Sequence, residues 1–156
     1  MDNDQSLRVA LKILLANSFV LLYKSQSYHW NCRGKRFSMA HKFFEEVYDE
    51  LFEAIDVIAE QIKICGDDTP ISLAKILSFA TIDEDTKLPD SIDNMFSIFL
   101  TDNKHLIENL NKIASMAEEH KKQGVLDMVV QRLRVNQKLA WMVSSPIDGE
   151  KSNEDV

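Results

Sequence analysis

The sequence predicts an all-α fold: a bundle of four long helices, with a short extra helix in the crossover between the second and third. Three observations support this prediction. Apolar residues recur at helical spacing along most of the 156-residue chain. Only four glycines and three prolines interrupt it, which is few for a sheet protein rich in turns. An apolar fraction of 45% in a chain of this length can form the core of one domain without disulfides.

The first predicted helix runs from Gln5 to about Trp30. Its apolar residues follow one another at intervals of three and four positions, so one side of the helix faces a core. The stretch from Asn31 to Gly34 breaks the pattern, and Gly34 can adopt the positive φ that a chain reversal needs. Because this break is short, we expect the first two helices to pack antiparallel.

The second predicted helix extends from Arg36 to Gly66, where a glycine, an Asp/Thr cluster and Pro70 end it. A helix of two turns from Ser72 to Phe79 and a polar loop from Thr81 to Asp90 then complete the crossover.

The third predicted helix begins near Ile92 and ends at Lys121–Gly124, where late lysines favour a helix C-terminus. The fourth runs from about Val125 to Val143. Residues 1–146 are therefore predicted to form one domain, and residues 147–156 an acidic, disordered tail.

The composition argues against several classes of protein. With 25 acidic and 18 basic residues, the formal charge is −7, which opposes binding to a phosphate backbone. The acidic N-terminus lacks the basic region of a signal peptide, and no uninterrupted apolar run approaches the ~18 residues that span a membrane. We therefore expect a cytoplasmic protein with no membrane partner. Cys32 and Cys65 form no CxxC pair, so we expect reduced thiols at the edge of the core.

A polar stripe on the second helix is the main indication of function. At ~100° per residue, His41, Glu45, Asp56 and Glu60 lie within ~100° of one another, beside the apolar face. These four residues are called the donor stripe below. His41 with Glu45, and Asp56 with Glu60, are each spaced by four residues, so each pair could share one ion. Mixed imidazole and carboxylate ligands suit iron, manganese or zinc better than magnesium or calcium.

The two pairs are too far apart to complete one site on a single helix. Glu45 and Asp56 are separated by ~16 Å along the axis, whereas metal–ligand bonds are ~2.0–2.3 Å. Two copies of the helix, antiparallel across a two-fold axis, would bring the His41 end of one subunit to the Glu60 end of the other. His29 would join His41 through the packing of the first two helices. Spacing alone also fits hydrogen-bonded histidines and a solvated acidic flank, so both interpretations stay open at this point.

Four stretches of sequence carry a family resemblance. They are YHWNCRG at residues 28–34, HKFFEEVYDELFEAIDVIAEQI at residues 41–62, PISLAKIL at residues 70–77 and AWM at residues 140–142. Together they resemble the Dps family, the ferritin-like DNA-binding proteins from starved cells. The resemblance covers nearly the whole chain, and the spacing of the histidines and carboxylates is its most specific part. It implies a ferritin-like four-helix bundle that assembles from two-fold dimers into a hollow cage of twelve subunits.

The resemblance also implies an activity and a site. Members of the family oxidise Fe(II), preferably with hydrogen peroxide, and store the ferric product as mineral inside the cage. Carried onto this sequence, the iron ligands would come from two subunits, namely His29, His41 and Glu45 of one and Asp56 and Glu60 of its neighbour. The protein is thereby expected to be a ferroxidase that protects the cell against oxidative damage.

The resemblance also implies accessory roles for three further residues. Trp30 resembles the family's aromatic residue near the site and could quench stray oxidising equivalents; a tryptophan that packs at a helix end is the alternative. Glu119 and Asp127 fall near the region of the family's acid-lined pores at three-fold axes, where iron enters. Lys121 and Lys122 interrupt that acidic character, and surface acids at helix ends are the commoner explanation.

The chain departs from the family pattern at three points. Glu45 occupies a position where Asp is usual, so its carboxylate reaches one methylene further. Cys32 replaces a small aliphatic residue and is expected to pack. The lysine-rich N-terminal arm that binds DNA in some members is absent, so direct DNA binding is in doubt. The alternative functions are a nucleoid-associated DNA-protecting protein and a helical oligomer with an inactive site.

Overall fold

The computed structural model describes the backbone of residues 3–150 and the side chains of residues 4–145. Its helices are α1 (Asn3–Asn31), α2 (Phe37–Ile64), α3 (Leu73–Leu77), α4 (Ile92–Glu119) and α5 (Gln123–Glu150). The described part of the chain contains no β-strand. Four long helices with the short α3 in the crossover confirm the predicted fold class.

The long helices pack as neighbouring pairs. The main contacts join α1 to α2 and α4 to α5, and α1 also lies against α4. Gly34 adopts a φ of 111° in the turn between α1 and α2, in agreement with the prediction for that break. The Ser91 side chain accepts a hydrogen bond from the Asn94 amide at 3.1 Å and so caps the start of α4.

A cluster of aromatic rings anchors the beginning of α2. Phe44 is fully buried. Its ring has four aromatic neighbours at centroid distances of 5.2 to 6.2 Å, namely Tyr28, Phe43, Phe96 and Phe99. Because Phe44 immediately precedes Glu45, this cluster holds the part of α2 that carries the first half of the donor stripe.

Asn17 ties the crossover to α1. Its Oδ1 accepts hydrogen bonds from the backbone amides of Thr81 and Ile82, at 2.8 and 3.1 Å. Its Nδ2 donates to Thr81 Oγ1 and to Asn109 Oδ1, at 2.8 and 2.7 Å. A buried amide is costly unless such bonds are made, so this residue fixes where the crossover lies on the bundle.

A second buried contact holds the crossover nearer to the turn between α1 and α2. Lys24 Nζ lies 2.8 Å from Asp102 Oδ2 and 3.5 Å from Asp85 Oδ1. The Tyr28 hydroxyl donates a hydrogen bond to Asp85. Burial, followed by the hydrogen bond to the Asp85 carboxylate, raises the pKa of Tyr28 above its ordinary value. The neutral phenol is therefore the form that the folded protein favours.

Tyr28→Phe is expected to destabilise the protein at neutral pH by about 1–3 kcal/mol, because Asp85 loses a donor in a buried setting. Since folding raises the pKa of Tyr28, its contribution is complete below about pH 10 and declines as the pH rises above that value. Urea unfolding at pH 7.5 and pH 10.5 measures this. The difference in unfolding free energy between the parent and the variant should shrink at the higher pH, and a growing difference would contradict the assignment.

α5 is longer than predicted. The predicted end of this helix was near Val143, and residues 147–156 were expected to form a disordered tail. In the structure the helix continues to Glu150. The hydroxyls of the two serines before Pro146 donate to helix carbonyls one turn earlier, each at 2.8 Å. A proline in a helix removes one backbone donor and crowds the preceding turn, so the helix continues past Pro146 in spite of a local cost. Residues 151–156 lie outside the described residues.

One described helix, α1, has the length and mean hydropathy expected of a membrane-spanning helix, with a value of 1.5 over 18 residues. The prediction from the sequence rests on uninterrupted apolar runs, none of which reaches that length. Half of this window is buried inside the bundle. Its apolar character therefore reflects packing against α2 and α4.

Candidate metal centre

His29 and His41 form the centre of the site. His29 lies in the last turn of α1 and His41 in the second turn of α2, and their rings stack with centroids 3.6 Å apart and planes inclined by 17°. His29 Nδ1 lies 2.7 Å from the His41 carbonyl oxygen, and His41 Nδ1 lies 2.8 Å from the His29 carbonyl oxygen. The expected approach of the two histidines is confirmed, and each bonds to the backbone of the other.

These reciprocal hydrogen bonds determine the tautomer of both rings. A carbonyl oxygen can only accept, so each Nδ1 carries a hydrogen and donates it. In the neutral rings, both Nε2 atoms then hold free lone pairs. Metal-binding histidines are commonly oriented in this way, by a hydrogen bond from the nitrogen that does not bind the metal. The pair is therefore preorganised to bind a cation before any cation is present.

The stacking also limits how the two imidazoles can share an ion. A ring nitrogen binds a metal along its lone pair, which lies in the ring plane. With the planes inclined by only 17° at a centroid distance of 3.6 Å, the two lone pairs do not converge within a metal–nitrogen bond length. Each imidazole could therefore hold an ion of its own, adjacent to the other.

Other aromatic rings and one thiol surround the pair. Phe37 stacks on His41 at 4.9 Å, and the ring of Tyr48 meets His29 edge-on at 5.3 Å. Burial, then Glu45 and Asp49, raise the pKa of Tyr48, so its hydroxyl stays protonated at neutral pH.

The Cys32 thiol lies beside the backbone of His29 and is not one of the candidate metal ligands. Its thiol contacts the His29 carbonyl oxygen at 3.7 Å, and burial raises the pKa of Cys32. A protonated, buried thiol packs as a small apolar group, in line with the sequence expectation. Cys65 is partly buried and also free.

Sequence reasoning did not assign Phe37 and Tyr48 to the site. Phe37 is four residues before His41 and Tyr48 is seven residues after it, and both spacings place a side chain on the face of α2 that carries His41. This helical spacing was the sequence feature that could have assigned the two residues to the site. Aromatic residues at helical intervals are usually core residues, however, so the pattern alone did not separate them from the apolar stripe.

The carboxylates of the donor stripe are exposed. Within the described residues, Glu45, Asp56 and Glu60 form no ion pair or side-chain hydrogen bond. Asp56 lies at the edge of a groove of about 660 Å³ between α1, α2 and α3. Carboxylates that have no partner in one subunit are free to bind a cation at a surface that another subunit covers.

A single subunit does not assemble the expected ligands. Among the side chains that the structure describes, no three His, Cys, Asp or Glu residues come together as a metal-binding cluster. This agrees with the ~16 Å that separates the two halves of the donor stripe along α2. The two histidines are brought together, whereas Asp56 and Glu60 lie toward the other end of the helix.

The three accessory residues are exposed in the single subunit. Trp30 is 59% exposed and its ring meets that of Tyr23 edge-on at 6.3 Å. Glu119 ends α4 and is exposed, and Asp127 is an exposed residue of α5 that accepts a hydrogen bond from Gln131 at 3.0 Å. These two acids flank the turn between α4 and α5.

Comparisons with known proteins agree with this architecture. Residues 9–151 match the family model described as the ferritin-like domain. A low temperature-induced protein of Nostoc sp. is 33% identical over 137 residues, which cover 87% of this chain and 76% of the relative. A DNA protection during starvation protein of Brevibacillus brevis is 31% identical over 142 residues, covering 91% of this chain and 95% of the relative.

A solved structure gives the same result. The crystal structure of a Dps protein from Vibrio cholerae O1 matches with a TM-score of 0.87 at 30% sequence identity. The match covers 93% of this chain and 91% of that chain. The Vibrio protein is described as a member of a broad superfamily of ferritin-like diiron-carboxylate proteins.

Proposed function

This chain belongs to the Dps family of ferritin-like proteins, and from that premise we propose that it oxidises Fe(II) and stores the ferric product. The observation that carries the proposal is the reciprocal histidine pair, which holds two free imidazole lone pairs beside the exposed Glu45. This donor set suits iron. The family supports iron storage and protection against damage at a general level, and the ferroxidase activity is the specific proposal made here.

We place the iron site between two subunits. His29, His41 and Glu45 of one subunit would meet Asp56 and Glu60 of a second, across a two-fold axis, and a dimer would hold two such sites. Three observations support this arrangement. The donor stripe spans too great a length for one site, its carboxylates have no partner among the described side chains, and α2 carries exposed apolar side chains. A homo-oligomer is therefore the functional form, and the family likeness extends the proposal to a cage of twelve subunits.

The chemistry needs two Fe(II) ions close together. Each gives one electron to the same hydrogen peroxide molecule, its O–O bond breaks, and two protons convert the oxygens into two water molecules. The stacked imidazoles support two adjacent ions, and carboxylates of the second subunit could bridge them. Because the peroxide takes up both electrons together, no hydroxyl radical is released. We propose that Trp30 quenches stray oxidising equivalents and that the protonated Tyr48 lines the site.

The charge distribution supports chemical protection over direct binding to DNA. At −7 per chain, an assembly repels a phosphate backbone at physiological salt. The same charge attracts Fe(II), and we propose that Glu119 and Asp127 line its entry route. A cytoplasmic location is part of this proposal.

Titration of the assembled protein with Fe(II) under anaerobic conditions, followed by addition of hydrogen peroxide, tests the function. We expect saturable binding of about two Fe(II) per subunit and consumption of about one peroxide per two Fe(II). Absence of saturable binding would support the alternative of a helical oligomer with an inactive site. Tight, salt-sensitive binding of DNA in a gel shift would favour the nucleoid-associated alternative.

A further inference from the structure

We propose that Phe52 forms the apolar contact at the two-fold axis and sets the register in which two α2 helices meet. This inference rests on the proposed function, because the axis is located from the iron ligands. It adds to the interface a residue, exposed in the single subunit, that is not one of the proposed iron ligands.

The ligand positions locate the axis along α2. If His41 faces Glu60 of the second subunit, the axis passes midway between positions 41 and 60, which is between Glu50 and Leu51. If Glu45 faces Asp56, the midpoint is the same. Two antiparallel helices in this register bring the two copies of position 52 to within ~4.5 Å of each other along the helix direction.

Phe52 also lies on the face of α2 that carries the proposed ligands. At ~100° per residue, it lies ~20° from His41 and ~40° from Asp56, within the sector of the helix that the donor stripe covers. Leu51, the residue nearest to the axis along the chain, points instead into the core of its own bundle, where it is 2% exposed. Phe52 is therefore the apolar side chain of α2 that can reach the axis.

The exposure of Phe52 indicates that something covers it. Its side chain is 72% exposed in the single subunit, and it borders the groove of about 660 Å³ that Leu15, Phe19 and Ile55 also line. An aromatic ring beside an apolar groove is typical of the buried centre of an interface. Because Asp56, a proposed ligand from the second half of the stripe, borders the same groove, the covering surface is the second copy that completes the metal site.

Cysteine cross-linking tests this contact. Phe52→Cys is expected to form a disulfide with its own symmetry mate when the assembled protein is treated with oxidised glutathione, and non-reducing electrophoresis measures the dimer. Val57→Cys is the matched control, because this exposed residue lies ~140° further round the helix and its two copies would be ~20 Å apart along the helix direction. The parent protein measures the background from Cys32 and Cys65. We expect at least ~5-fold more dimer from position 52, and equal yields from the two variants would overturn the proposal.

A charge substitution provides a second test that does not depend on oxidation. Phe52→Glu brings two carboxylates together at the axis and is expected to lower the mass in solution below that of the parent assembly, with helical content retained by circular dichroism. Phe52→Leu should remain assembled. A Phe52→Glu protein with the mass of the parent assembly would contradict the contact.

Iron titration of the cross-linked dimer separates this proposal from the function on which it rests. A Phe52→Cys dimer that forms readily and binds no Fe(II) would support the contact between the two copies of position 52 and contradict the ferroxidase site. Normal Fe(II) binding by a protein in which position 52 does not cross-link would contradict the contact alone.

Discussion

Replacement of both His29 and His41 by alanine is expected to slow peroxide-driven oxidation of Fe(II) at least ~10²-fold at a fixed iron concentration, while the assembly keeps its mass. Loss of a residue that merely orients a metal ligand typically costs ~10–100-fold, and here both imidazole ligands disappear. Each ring bonds to the backbone carbonyl of the other residue, which alanine keeps, so a single substitution removes one imidazole and the ring stack but leaves the remaining histidine its hydrogen bond. Stopped-flow absorbance of the ferric product measures the rate.

The control for this experiment is His105→Ala. His105 is a half-buried histidine of α4 that bonds to Thr81 Oγ1 at 2.9 Å, away from the donor stripe. Its loss removes an imidazole without touching the proposed site, so the oxidation rate should be unchanged. If the double variant oxidised Fe(II) as fast as the parent, the assignment of the two histidines to the site would be wrong.

Phe44→Ala is expected to lower the free energy of unfolding by about 3–5 kcal/mol. Phe44 is fully buried and is the common neighbour of the aromatic rings that connect α1, α2 and α4. The alanine removes most of these contacts and leaves a cavity that the bundle can only partly close. Urea unfolding at a fixed subunit concentration measures the loss, because assembly contributes to the apparent stability.

Leu88→Ala is the comparison for Phe44→Ala. Leu88 lies in the crossover and is 37% exposed, so its truncation should cost about 1 kcal/mol or less. If the two variants lost similar amounts of stability, the aromatic cluster would not be the element that anchors the start of α2.

The fold could be predicted because its core follows the helical period. Ser18 and Ser25 illustrate the strength of that pattern, since both continue the spacing of the apolar face of α1 and are buried with it. Their hydroxyls bond to the carbonyls of Leu14 and Leu21, which removes the cost of burying them. The end of α5 was not predicted, because a proline such as Pro146 usually ends a helix, whereas α5 continues past it to Glu150.

The histidine pair was only partly predictable. The short turn between the first two helices predicted that His29 and His41 would be close. Their stacking and their bonds to each other's carbonyl groups depend on side-chain rotamers and on the offset between two helices, which no residue spacing encodes. The contacts of Tyr28 and Lys24 with Asp85 were also missed, because the position of a long crossover depends on the whole bundle.

Residue spacing was more informative for the carboxylates than for the histidines. The distance between Glu45 and Asp56 follows from the helical rise alone, and it predicts that one subunit holds only part of the site. The exposed, unpaired state of these side chains in the structure is compatible with that prediction. The central claim is that these carboxylates meet the histidines of a second subunit, and this depends on how the subunits assemble.

Complementation between two inactive variants tests this claim most directly. One variant carries His29→Ala and His41→Ala, and the other carries Asp56→Asn and Glu60→Gln, so each should be inactive when assembled alone. Co-assembled in equal amounts, half of the dimers should contain both variants, and each of those should have one of its two sites intact. The account predicts recovery of about a quarter of the parent oxidation rate. A mixed assembly no more active than the separate variants would contradict a site shared between subunits.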